Sequence, residues 1–198
     1  MDEGYIKFNC TWIESGPVQS EFVRKLNKWR DRLFEIGLIG VYPNGIGFGN
    51  ISLRYKGNTL IITGSATGGL KSLNENHYTL VKDYNLNENS LTCAGPIKAS
   101  SESLSHAAIY ESAPSVMAVI HVHHQALWEK LRNIFATTSK EAAFGTPELA
   151  LEIRRLFRKS EVKKEKIIVM GGHPEGIISF GQSLEEAGQV LLENLKKV

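Results

Sequence analysis

Apolar residues recur at three- and four-residue intervals over Phe22, Leu26, Trp29, Leu33 and Ile36. This is the spacing of a helix with one buried face, which Gly37 ends and Ser20 is placed to cap. After the glycine-dense turn Pro43–Asn50 the period changes to two. Ile51, Leu53 and Tyr55 alternate with Ser52 and Arg54, predicting a half-buried strand, and Gly57-Asn58 turns the chain into a second strand over 59–63. A further glycine-rich loop, 64–69, precedes two short strands over 78–84 and 86–93. A helix is predicted over 101–111 and a buried strand over the apolar run 116–122. Thr146-Pro147-Glu148 opens another helix, with Thr146 as cap, and its buried face is marked by Leu149, Ile153, Leu156 and Phe157. The charge-dense stretch 158–166 reads as a solvated connection. Strands over 167–170 and 176–180 follow, then a closing helix over 183–197 with Ser183 and Glu186 as a capping box. Strands and helices mix without strict alternation, which predicts an antiparallel or mixed sheet covered by helices.

Length and charge narrow the function. With 198 residues, 42% of them hydrophobic, the chain suffices for one domain with a sizeable core, and 1–198 is read as one unit. A net charge of +2 supplies no broad field for nucleic acid or an anionic membrane. Cys10 and Cys93 are too few for a disulfide framework and not spaced as a zinc ribbon, which fits a reducing cytoplasm. Met1–Gly4 lacks a basic-then-apolar signal region, and no apolar run approaches the roughly 20 residues of a membrane-spanning helix, so a cytoplasmic location is expected.

Candidate chemistry concentrates in His121-Val122-His123-His124 at the end of a predicted strand. Side chains two apart on a strand share a face, so His121 and His123 present two imidazoles to one point while Ile120 and Val122 face away. That geometry suits a divalent metal; two histidines satisfied by hydrogen bonds are the alternative. His173, in a tight glycine-rich turn after another apolar strand, is a possible third ligand or an exposed turn histidine. His77, His106 and His124 are read as core or helix-capping residues, although His106, one turn after Glu102, could orient that carboxylate. Ser100-Ser101-Glu102 places two hydroxyls and a carboxylate at a helix start, either an ordinary cap or a phosphate cradle. The loops at Gly49-Asn50 and Thr67-Gly68-Gly69 could add phosphate-binding amides but follow no nucleotide-binding glycine pattern.

Taken in order, Gly49-Asn50-Ile51-Ser52, Ile62-Thr63 with Thr67-Gly68, Ser100-Ser101-Glu102 with His106, His121-Val122-His123, Gly145-Thr146-Pro147-Glu148 and Gly172-His173 ahead of Gly176 resemble the class II aldolase/adducin family. The resemblance spans about residues 22–195, with fuculose-phosphate aldolases as the nearest enzyme type. It implies an α/β fold, a three-layer αβα sandwich with a central antiparallel or mixed sheet, assembled as a homo-oligomer, a tetramer first. It implies that His121, His123 and His173 bind a divalent metal, Zn²⁺ first, with Mn²⁺, Fe²⁺ or Co²⁺ as alternatives. It implies Glu102 as the acid/base, and Asn50, Thr67, Gly68, Ser100 and Ser101 as phosphate-binding residues. The implied activity is aldol-type cleavage of a small sugar phosphate or related hydroxy-carbonyl compound through a metal-stabilised enediolate. Glutamate at position 102 resembles the aldolases rather than the related epimerases, whose residue there is typically aspartate. Dehydration, epimerisation and decarboxylation use the same apparatus, and the adducin branch implies a non-catalytic assembly protein instead.

The chain also departs from the family. It is shorter between His123 and Gly145, and the tyrosines that sugar-phosphate aldolases carry in the middle segment and the carboxy-terminal tail have no counterparts, which leaves a proton donor unassigned. The loop 64–70 is about one residue longer, and Pro174-Glu175 intervenes before Gly176. Residues 1–18 form an extension without an assigned role, whose alternating stretch 5–12 suggests an added strand or a subunit contact.

Overall fold

Eight strands form one sheet in the computed structural model, which describes residues 5–197. Met1–Gly4, from which the absence of a signal region was read, lies outside the described residues. The chain runs β1 (Asn9–Glu14), α1 (Ser20–Glu35), β2 (Gly40–Val41), β3 (Gly47–Phe48), β4 (Asn50–Arg54), β5 (Leu60–Thr63), β6 (Tyr78–Asn85) and β7 (Ser90–Gly95). It continues through α2 (Ser103–Ser112), β8 (Ala118–His123), α3 (Gln125–Leu131), α4 (Pro147–Lys159), α5 (Val162–Glu165), β9 (Ile167–Val169), β10 (Gly176–Gly181) and α6 (Leu184–Leu195). The sheet order is β1-β7-β6-β5-β4-β8-β10-β9, antiparallel except for β1, which lies parallel to β7; β2 and β3 form a separate ribbon. The sheet is therefore mixed, and helices cover both faces.

The period-two pattern of β8 divides the core. Val119 joins Ile178 and Phe180 in a cluster under α2, α4 and α5, whereas Ile120 and Val122 pack with Ile177 against α1, α3 and α6. His121 and His123 therefore face the α2/α4 layer. Helix α2 is buried along Ser103–Tyr110 because it lies between the sheet and α4. Strand β8 is hydrogen-bonded on both sides, with Asn50 opposite His121 on β4 and Gly176 opposite His123 on β10.

Several local expectations are corrected. Ser20 is the first residue of α1 rather than its cap, Gln19 standing at the cap position, and Ile36 is 43% exposed while Leu38 takes the buried place. Thr146 occupies the cap position of α4, but its hydroxyl donates to the Ala143 carbonyl instead of the helix. Ser183 does accept from the Glu186 amide, while the Glu186 carboxylate reaches Gln182 N, one residue earlier than a capping box requires. The connection 158–166 contains the short helix α5. Helix α3 was not expected; His124 caps it, accepting from Leu127 N at 3.1 Å. Stretch 5–12 contributes to the edge strand β1, and Cys10 and Cys93 are free thiols with sulfurs 3.7 Å apart.

Two glycines bring loops to the site. Gly49 has φ +78°, and a Cβ there would stand 2.7 Å from Ile39 Cγ1 and 3.2 Å from the His121 carbonyl, so only glycine lets the chain pass the strand that carries His121 and His123. A Cβ on Gly68 would stand 2.6 Å from the Gly40 carbonyl and 2.8 Å from Phe48 N, which seats loop 64–69 on the β2–β3 ribbon. From below, the buried Arg30 guanidinium donates to the carbonyls of Thr67, Gly68, Leu70 and Lys71. Among the described residues no helix is long and apolar enough to cross a membrane.

Candidate metal centre and adjoining cavity

Three imidazoles meet on the α2/α4 side of the sheet. His121 and His123 arrive two residues apart on β8. His173 arrives from the turn between β9 and β10, where His173 N donates to Met170 O and Gly176 N to His173 O. All three are buried, and His123 Nε2 lies 3.0 Å from Nε2 of both His121 and His173. Gly171 and Gly172 allow this turn to lie directly on the backbone of residues 138–142.

The far side of each ring fixes what the near side offers. His121 Nδ1 donates to the Ile177 carbonyl at 3.2 Å. His123 Nδ1 is 2.9 Å from the Tyr42 hydroxyl, which donates its own proton to Glu175 Oε2 at 2.7 Å, so Nδ1 is the donor and Tyr42 the acceptor. Both Nε2 atoms therefore carry lone pairs, and at 3.0 Å two lone pairs repel unless a cation lies between them. Tetrahedral coordination with Zn–N bonds of 2.0–2.1 Å spaces its nitrogens by about 3.3 Å. The donor set thus fits a transition metal, since imidazoles suit Zn, Fe or Co better than Mg or Ca. Burial holds the pKa of His121 and of His173 well below the ordinary imidazole value, reinforced by the neighbouring imidazoles and, for His173, by Lys7. Neutral rings are the form that binds metal.

Glu102 stands at the N-terminal boundary of α2 with φ −93° and ψ 7° and is buried. Its Oε2 accepts from Ser105 Oγ at 2.6 Å, and its Oε1 lies 4.0 Å from His173 Nε2. Because α2 begins at Ser103, neither Ser100 nor Ser101 caps it, and no side chain does. Both serines instead line a cavity with Asn50, Thr67, Gly68, Glu102, His121 and His173. Asn50 Oδ1 is buried there without a hydrogen-bond partner among the described residues. Thr67 turns its hydroxyl to the Gly64 carbonyl, so what it offers the cavity is limited by that bond. Arg54 lies outside the cavity lining, its guanidinium donating to the carbonyls of Tyr110, Ala113 and Val116 around the end of α2.

The remaining histidines act as structural groups. His77 Nδ1 accepts from Asn74 N, and His124 caps α3. His106, fully buried, meets Ser52 Oγ at 2.7 Å, and Ser52 in turn meets Tyr110 OH at 2.8 Å. Burial pushes the His106 pKa from 6.5 down to about 3. Between these values the unfolded chain binds a proton that the folded chain refuses, so the stability from neutral His106 is complete above pH 6.5 and is lost as pH falls toward 3. In urea titrations, stability should fall below pH 6.5 by up to about 1.4 kcal/mol per pH unit from this group. His106→Asn should flatten that fall.

Sequence reasoning missed the groups around the centre. Tyr42 and Glu175 lie behind His123, the Phe144 ring is 4.7 Å from that of His173, and Lys7 Nζ is 3.9 Å from the Phe144 centroid. The visible signals were Pro174-Glu175, an interruption before Gly176, and the alternation that carries Lys7.

Residues 44–128 match the family model described as the Class II Aldolase and Adducin N-terminal domain. A search of curated proteins by sequence finds no match. Among solved structures, an L-fuculose 1-phosphate aldolase superposes with a TM-score of 0.67 at 18% identity, covering 91% of this chain and 84% of its own. The L-fuculose-1-phosphate aldolase of Thermus thermophilus gives 0.63 at 19% identity, over 90% and 91%. A sugar-phosphate aldolase from Thermotoga maritima gives 0.66 at 17%, over 89% and 91%. At these identities the likeness shows the shared three-layer fold. Residues 44–128 are thus similar to the class II aldolase/adducin domain, and the fold around them is the one these aldolases share.

Proposed function

We propose that this protein is a metal-dependent lyase that cleaves a small sugar phosphate, or a related hydroxy-carbonyl compound, by the reverse of an aldol addition. The observation that carries this reading is the convergence of three Nε2 atoms beside the Glu102 carboxylate, at one end of a cavity with the Ser100 and Ser101 hydroxyls. His121, His123 and His173 would hold a divalent ion, zinc first because the set is all imidazole, with manganese, iron or cobalt as the other candidates. Such an ion supplies Lewis-acid polarisation of a substrate carbonyl. Glu102, oriented by Ser105, would give a proton to the carbon that keeps the electron pair of the broken carbon–carbon bond, while the hydroxyl proton released as the aldehyde forms passes to solvent water. Ser100, Ser101, Asn50, Thr67 and Gly68 bind the phosphate or hydroxyl end, and the walls of Phe48 and Phe144 limit water there. Among the described residues lining the cavity there is no Lys or Arg, so hydroxyl and amide donors carry this recognition.

The reading treats residues 1–198 as one domain with an amino-terminal extension over 1–18, acting in the cytoplasm as a homo-oligomer, a tetramer first. Dehydration, epimerisation and decarboxylation would use the same groups, and a substrate screen separates them. The test begins with metal content by plasma mass spectrometry on untagged protein purified without added metal. About one transition-metal ion per chain is expected, absent from His123→Ala, followed by metal-dependent release of a triose phosphate from ketose 1-phosphates. No bound metal and no turnover would instead favour an assembly role on the same fold.

A further inference from the structure

We propose that Tyr42 and Glu175 form a two-residue strap that fixes His123 for metal binding and ties the hairpin at Tyr42 to the turn that carries His173. This rests on the metal-centre reading above. The strap joins residues 133 apart in sequence through one hydroxyl, which accepts from His123 Nδ1 at 2.9 Å and donates to Glu175 Oε2 at 2.7 Å. Each end is anchored. Tyr42 N donates to Ile46 O, closing the hairpin, and the Tyr42 ring packs on Phe48 with centroids 4.6 Å apart. The Glu175 carbonyl accepts from His124 N at 3.0 Å, beside the ligand strand. The cavity lining includes neither residue, so they act through His123 as positioning residues.

The backbone supports this assignment. Glu175 has φ +68°, in the left-handed region that L side chains disfavour and glycine adopts freely. Glycine would hold that turn with less strain, yet the residue present is the one whose carboxylate reaches Tyr42. The strap also differs in kind from the partner of His121, a carbonyl of the adjoining strand. A main-chain acceptor is fixed by the sheet, whereas the partner of His123 depends on two side chains from two loops. An outer hydrogen bond to a ligating histidine sets its tautomer and ring orientation, and its removal typically weakens metal affinity by 10–100-fold.

Because Glu175→Gly removes the side chain and relieves the left-handed residue, it separates metal affinity from folding. Zinc affinity is measured by competition with a fluorescent chelator at fixed pH, alongside thermal unfolding of the metal-free proteins and the visible absorption of the cobalt-loaded forms. Tyr42→Phe and Glu175→Gly should each weaken zinc binding by about 10–100-fold and alter the cobalt spectrum, and the double variant should be little worse than either. Metal-free Glu175→Gly should unfold at or above the temperature of the wild type, and Glu175→Gln, keeping an acceptor oxygen, should recover part of the affinity. Affinities within twofold of wild type in both single variants, or a loss in Glu175→Gly matched by a loss of metal-free stability, would overturn the strap. A wild type that binds no zinc would overturn the metal centre itself, so the two failures are distinguishable.

Discussion

Glu102→Gln should leave fold and metal content unchanged while lowering turnover by about 10²–10⁴-fold, the contribution of a positioned acid/base group. Glutamine has the shape of glutamate and retains an oxygen for the Ser105 hydroxyl, which donates to Oε2 at 2.6 Å. It therefore occupies the same buried position at the start of α2 without opening a cavity. What it cannot do is take up and release a proton. The converging nitrogens belong to His121, His123 and His173, and Oε1 is 4.0 Å from His173, so metal content has no reason to fall. Turnover and metal content measured on the same preparation check this. A variant with wild-type turnover would remove Glu102 from the chemistry, and loss of metal would make it a ligand.

The second large effect is on stability. Arg30→Met should destabilise the protein by about 3–5 kcal/mol, as expected when one partner of a buried charged network is removed. Arg30 is 1% exposed, and its guanidinium serves carbonyls at 67, 68, 70 and 71, with Asp31 at 3.4 Å as a partly exposed counter-charge. Methionine fills much of the volume but leaves those carbonyls without their donor, each at a cost of about 1–3 kcal/mol where water cannot reach. Burial depresses the Arg30 pKa, with Asp31 opposing that shift. Lysine should not restore stability, since one ammonium cannot span the fork of contacts that a guanidinium makes. Urea unfolding measures the loss, and limited proteolysis should show cleavage moving to residues 64–71. Since that loop carries Thr67 and Gly68, KM for a phosphorylated substrate should rise more than kcat falls.

What could be read from the sequence follows from the range of the interactions. The face of β8 that carries His121 and His123 is a period-two property of six consecutive residues, and it appears as the alternation predicts. The helices α1 and α4 show their apolar stripes, but α2 lies between other elements and is buried all round, so its start was misplaced. With α2 starting at Ser103, the cap alternative for Ser100 and Ser101 falls away and their place in the cavity lining remains. The short helix α3 has Leu127, Trp128 and Leu131 on its buried side, a pattern overshadowed by the histidine run before it. His173 stands 50 residues from His123, so its glycine-rich turn offers it only as a candidate third ligand and motif resemblance ties it to the other two. No local rule reaches the Tyr42–Glu175 contact across 133 residues, the parallel pairing of β1 with β7, or Arg30 beneath the loop.

The placement of β8 divides the cavity into two kinds of wall. Two imidazoles ride on a strand paired on both flanks, whereas the opposite lining comes from loop 64–68, residues 100–102 and Phe144. A strand in the middle of a sheet cannot gain or lose a residue without shifting every side chain beyond it to the other face. The loops carry no such constraint and can lengthen, as loops on a rigid frame commonly do. Insertions in those loops would therefore reshape the cavity while the imidazoles of the strand stay where they are.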